Sequence, residues 1–110
     1  MKQKLFFFLY IFFSISAFAQ QSKIDSLKRL LSSSKEDTIK VNALNKLAFI
    51  LQGNNPDEAM GYGKEALSLS EKLKYDKGKA DAYNEIGLSF YNKGEYDSAL
   101  KFHNKSLVIC

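Results

Sequence analysis

Sulfur and imidazole are almost missing from this chain, which has one Cys, one His and no Trp in 110 residues. A disulfide framework and a Cys/His zinc site are thereby excluded, and no metal or other cofactor is expected. Arginine is as scarce. Fifteen of the 16 basic residues are Lys, spread along the chain among 12 acids, so the bidentate Arg contacts and dense basic stripe of a nucleic-acid binder are absent. The chain also lacks any run in which apolar and polar residues alternate with β-branched enrichment, which argues for an all-α fold. Gly61, Gly63, Gly78, Gly87 and Gly94 are scattered too widely for a phosphate-cradling loop. This inventory argues against an enzyme.

What is abundant is concentrated at the front. The first 19 residues hold 14 of the 50 hydrophobic residues and seven of the 15 aromatics, with two lysines and no acid. Lys2 and Lys4 precede an apolar run from Leu5 to Phe18, and Ala17-Phe18-Ala19 supplies the small-x-small pattern of a cleavage site. Residues 1–19 therefore read as a secretory signal peptide cut before Gln20, placing the protein in the periplasm or outside the cell. A membrane anchor, the alternative, needs about 20 apolar residues. Without the leader the formal charge falls from +4 to +2. The one thiol, Cys110, has no CxxC partner and is assigned no role.

Residues 20–36 form a leading amphipathic helix and linker. Ile24, Leu27, Leu30 and Leu31 recur at helical spacing, Ser22 and Asp25 make a capping box, and Ser32-Ser33-Ser34 ends the helix. Asp37 caps a second helix, with Val41, Leu44, Leu47, Ala48 and Leu51 on one face, that stops at Gly53. Asn54-Asn55-Pro56-Asp57-Glu58 opens a third by capping Asn, Pro at the first helical position and acids at the positive helix end. This helix runs to about Lys74, and Gly61 and Gly63 within it predict close packing. A turn at residues 75–78 precedes a fourth helix, from Lys79 to Asn92. Gly94 ends that one, and a fifth begins near Glu95.

Helices three and five superpose at an offset of 40 residues: Ala59 falls on Ala99, Ala66 on Ser106, Leu67 on Leu107 and Leu69 on Ile109. Leu47-Ala48 falls on Ile86-Gly87 at 39. A fixed period with small residues at matched places predicts stacked helical hairpins, one over residues 37–76 and the next over 77–110.

The stretch from Ala82 to Leu100 resembles a tetratricopeptide repeat. Tyr83 stands at the aromatic position, Ile86-Gly87 at the Leu-Gly pair, Phe90 at the following aromatic, and Tyr96 and Ala99 in the second helix. In the first unit Leu44 replaces the aromatic and Ala48 the glycine. The period of 40 exceeds the family's usual 34 through extra residues in Glu71 to Lys77. About 70 residues share the likeness, which implies an α-solenoid of two repeats behind a leading helix, as in the exported N-terminal regions of bacterial repeat proteins. In many of those a membrane helix and a histidine kinase, cyclase or DNA-binding module follow.

The resemblance further implies a concave groove lined by the first helix of each pair, here Asn42, Asn45, Phe49 and Gln52, then Asp81, Asn84, Leu88, Tyr91 and Asn92. Asn45 and Asn84 are equivalent, and amides carrying both donor and acceptor can hold a partner's backbone. The Lys and Arg positions of the family's clamp for C-terminal carboxylates are unmatched. Other chemistry-bearing residues have simpler explanations. His103 is alone among packing residues, and the paired acids Glu36-Asp37, Asp57-Glu58 and Glu95-Asp97 stand at helix starts, where caps and the helix dipole account for them.

The expected function is a noncatalytic protein-interaction or sensing module. Two alternatives stay open: the sensory front of a membrane-bound signalling protein, and a small secreted structural protein. The open edge of the last helix, shorter than its predecessor, is expected to favour self-association. Membrane contact would need an uncleaved leader or a helix downstream.

Overall fold

The computed structural model describes the backbone of residues 2–33 and 35–109, with side chains from residue 17 onward. The side chains of residues 1–16, together with Ser34 and Cys110, lie outside the described residues. Five helices follow one another: α1 (Lys2–Ser33), α2 (Thr38–Leu51), α3 (Pro56–Leu73), α4 (Asp76–Asn92) and α5 (Tyr96–Ile109), with no strand among the described residues. The fold is all-α. α1 packs on α2, each later helix on the one before it, and α2 also meets α4.

Three starts and stops fall where local chemistry puts them. Ser32 and Ser33 turn their hydroxyls back onto the Arg29 carbonyl at 2.8 and 3.2 Å, competing with the helix ladder where α1 ends. Asp37 accepts the Lys40 N–H at 3.0 Å. Asn55 accepts the Glu58 N–H at 3.1 Å and donates to the Glu58 carboxylate at 3.3 Å, closing a reciprocal cap around Pro56. α3 ends in a left-handed Lys74, with φ of 56°, and Gly94 fills the corresponding turn after α4 with φ of 81°.

Three sequence expectations are corrected. Ser22 caps nothing, because α1 is one continuous helix of 32 residues from Lys2, and the Ser22 carbonyl accepts from Ser26 Oγ within it. Aliphatic and aromatic residues followed by Gln, Ser and Lys all tolerate helix, and no Gly or Pro intervenes to stop it. α4 begins at Asp76 rather than Lys79, which places Gly78 inside its first turn. Of the two glycines in α3, only Gly63 is close-packed: an added Cβ would meet Ile86 Cγ1 at 3.1 Å, whereas at Gly61 it would meet nothing.

The core is two clusters sharing α2. Val41 and Leu44 meet Ala66, Leu69 and Ala82, while Leu47 and Leu51 meet Ile24 and Ala59, with Leu27 and Leu31 packed alongside. Leu47, Ala48, Ala59 and Ala66 have no exposed surface, and Ile86, Ala99, Ser106 and Gly87 are buried too. The small residues matched at 40 residues are thus the ones that let helices approach. Tyr83 and Phe90 are half-buried, on either side of Phe102 at centroid distances of 6.1 and 5.4 Å.

Candidate functional site

α2 and α4 run parallel, and their side-chain contacts keep one register. Tyr75 Oη donates to Asn42 Oδ1 at 2.9 Å, Asn45 Nδ2 to the Gly78 carbonyl at 3.1 Å, and Gln52 Nε2 to the Glu85 carbonyl at 2.9 Å. Each pair is 33 residues apart. Between the helices lies an open recess of about 330 Å³, lined from α2 by Asn42, Asn45, Lys46 and Phe49 and from α4 by Lys77, Asp81, Asn84 and Glu85.

Five expected groove residues therefore come together. Leu88, Tyr91 and Asn92 do not join them: Leu88 is half-buried, Tyr91 sits edge-on to Tyr96 at 5.3 Å, and Asn92 donates to the Gln52 carbonyl at 3.3 Å. Gln52 is not free to meet a partner, being only 6% exposed. Its amide also touches the Glu85 carboxylate at 3.3 Å and accepts from Ser89 Oγ at 3.0 Å. Glu85, Ser89 and Asn92 form a polar stripe at helical spacing beside the apolar Ala82 and Ile86. That stripe was the sequence signal for this network.

The two equivalent asparagines differ. Asn45 is 7% exposed; its Nδ2 is engaged by the Gly78 carbonyl, while its Oδ1 is buried with no donor among the described residues. Asn84 is exposed and faces His103, with Oδ1 3.2 Å from Nδ1. His103 is therefore not isolated from the groove, as a place in the second helix of its hairpin suggested. Its ring lies on Gly87, where an added Cβ would stand 3.0 Å from Cε1. The glycine at that position makes room for this imidazole.

Charge in the recess is mixed. Lys77 and Asp81 pair at 3.0 Å across one turn of α4, which raises the Lys77 pKa above its ordinary value. Burial pushes the Glu85 carboxyl above the usual carboxylate range, with nearby Asp81 adding to the rise and the Gln52 hydrogen bond opposing both. Three of the paired acids outside the recess are held in ion pairs: Asp57 with Lys93 at 2.8 Å, Glu58 with Lys28 at 3.5 Å and Glu36 with Lys72 at 2.6 Å. Among the described residues no three His, Cys, Asp or Glu side chains are grouped to hold a metal ion, and no helix is long and apolar enough to cross a membrane.

α5 exposes apolar surface that α3 hides. Leu100 and Leu107 are 61% and 71% exposed, whereas the matched Met60 is 8% exposed and Leu67 is partly buried against the core. Tyr96, expected among the packing residues, is exposed as well. No protein-family model matches the chain, and comparison with curated proteins and with solved structures finds no match.

Proposed function

We propose that this protein is an exported, tetratricopeptide-like helical repeat that holds a protein or peptide partner in the recess between α2 and α4 and performs no chemistry of its own. The observation that carries the reading is the convergence of Asn42, Asn45, Phe49, Asp81 and Asn84, from two repeats 39 to 40 residues apart, on one open recess. Phe49 is 64% exposed there, a large apolar ring held in water where a partner could cover it. Export is compatible with the packing. Among the described residues, those of α1 that pack in the core, Ile24, Leu27 and Leu31, all follow Gln20, so a chain cut before Gln20 keeps them. The exposed face of α5 is, on this reading, the edge of the stack, and a second copy can cover it.

A photo-crosslinking amino acid at position 49 tests the reading in cells. It should give a discrete adduct that weakens with Asn84→Ala, while the same group at exposed Lys64 on α3 gives none. Equal labelling from both positions overturns it.

A further inference from the structure

Buried atoms reveal what a recess is short of, because exposed polar groups are satisfied by water and buried ones are not. On the floor of the α2–α4 recess, two buried or half-buried groups lack a partner of the same kind. Asn45 Oδ1 is sealed without any donor. The Glu85 carboxylate, half-buried, receives one neutral amide hydrogen bond from Gln52 and no ion pair. Among the described residues Asp81, one turn before Glu85 on α4, has one ion-pair partner, Lys77, whose side chain is 74% exposed. The opposite need is missing. Lys46 and the amides of Asn42 and Asn84 are exposed donors that water serves.

We propose that the recess takes a basic segment of its partner, with a Lys or Arg head between the Asp81 and Glu85 carboxylates and its aliphatic stem on the exposed Phe49 ring. This inference rests on the reading of the recess as the partner groove and specifies the chemistry of what fills it. The Phe49 face can also attract the cation itself. An incoming cation would supply the positive charge that Glu85 lacks and oppose the upward displacement that burial gives its pKa. The groups facing Glu85 are Asp81 and Lys77 on α4 and Lys46 and Gln52 on α2; α3 approaches it with uncharged Gly63, 3.6 Å from the Glu85 Cβ.

The test is fluorescence polarisation of the full chain with two labelled, end-capped hexapeptides, Ala-Ala-Lys-Ala-Lys-Ala and the same peptide with Glu in place of Lys. The chain carries a net charge of +4, so diffuse attraction favours the acidic peptide and cannot produce the expected result. The lysine peptide should bind about tenfold more tightly, and Asp81→Asn with Glu85→Gln should bring the two within about twofold, since charge-assisted hydrogen bonds are the ones removed. Lys46→Gln, an exposed change that leaves the Gln52 network intact, should tighten the lysine peptide about twofold. If the two peptides bind equally, or the acidic one better, and both are weakened by Phe49→Ala, the basic-segment proposal is overturned while the groove stands. Should neither peptide bind in a Phe49-dependent way up to millimolar concentration, both fall.

Discussion

Gln52 is clasped by Ser89: the Ser89 hydroxyl, with no exposed surface, donates to Gln52 Oε1 at 3.0 Å, while the same amide's Nε2 donates 2.9 Å away to the Glu85 carbonyl. The side chain that caps the C-terminus of α2 thus uses both ends of its amide on α4. The parallel register of the two helices depends on this clasp and on the Asn45–Gly78 bond two turns earlier. Apolar packing alone tolerates a slip along the helix, but an amide with two fixed partners does not.

Gln52→Leu should therefore cost more than its exposure suggests. It leaves the Ser89 hydroxyl without its acceptor on α2 and the Glu85 carboxylate without its donor, a loss of about 1 to 3 kcal/mol. In a domain of this size that lowers Tm by about 4 to 8 °C for each kcal/mol. Ser89→Ala, which removes a donor and leaves Gln52 its other contacts, should cost about half as much. A Gln52→Leu protein that melts with the parent would show the clasp to be idle.

Glycines in adjacent helices should respond to alanine with opposite signs. At Gly78 a Cβ would stand 2.5 Å from Val41 Cγ1 and 2.6 Å from the Tyr75 ring, so Gly78→Ala should destabilise by about 1 to 3 kcal/mol through overpacking. At Gly61, mid-helix with open space around the added atom, Gly61→Ala should stabilise by about 0.5 to 1 kcal/mol through helix propensity. Urea melts of the two variants check both signs in one experiment.

Much of this architecture was legible in the residues. Caps written as Asp37 and Asn55-Pro56 placed the starts of α2 and α3, and the Ala59–Ala99 and Ala66–Ser106 matches identified buried contact points, because capping and small-residue packing are local rules that a sequence displays directly. Two failures have physical causes. Ser22 looked like a cap, yet a Ser inside a helix can bond its neighbours' carbonyls or simply face water, and nothing before it breaks the helix. Asn45 and Asn84 looked alike at 39 residues' separation, but burial is set by the helix packed alongside: α4 covers Asn45, whereas Asn84 stays exposed and meets His103 of α5.

Glu85 gives the protein a pH dependence of definite sign. Its folded pKa lies above the ordinary 4.5, chiefly because burial disfavours the carboxylate. Between 4.5 and the raised value the folded state holds more protons than the unfolded one, so stability rises as pH falls through that window and is lost as pH rises past it. Glu36 acts in the opposite sense: the Lys72 hydrogen bond and charge hold its pKa below 4.5, so its contribution is present above that pH and fades below it. Glu85→Gln isolates the first effect, since the new amide still accepts from Gln52. The variant's gain in Tm over the parent should be largest at pH 7 and shrink toward pH 4.5. A gain that does not change with pH would assign the effect to something other than ionisation.

His103 should link stability to binding, which Asn84 alone does not. His103→Ala empties the space above Gly87 and also releases Asn84 Oδ1, so it should lower stability by about 1 to 3 kcal/mol and change affinity in the recess. Asn84→Ala removes an exposed amide, leaves the ring on Gly87 and should alter affinity with little effect on Tm. Gly87→Ala, which pushes a methyl to within about 3 Å of the imidazole, should reproduce the stability loss. The discriminating measurement is the double variant Gly87→Ala with His103→Ala. Removing the ring gives the new methyl room, so the double variant should be more stable than the sum of the single losses predicts, by about 0.5 to 3 kcal/mol. Strict additivity would mean that the imidazole does not rest on Gly87, and that the contact joining the second layer to the groove is not made there.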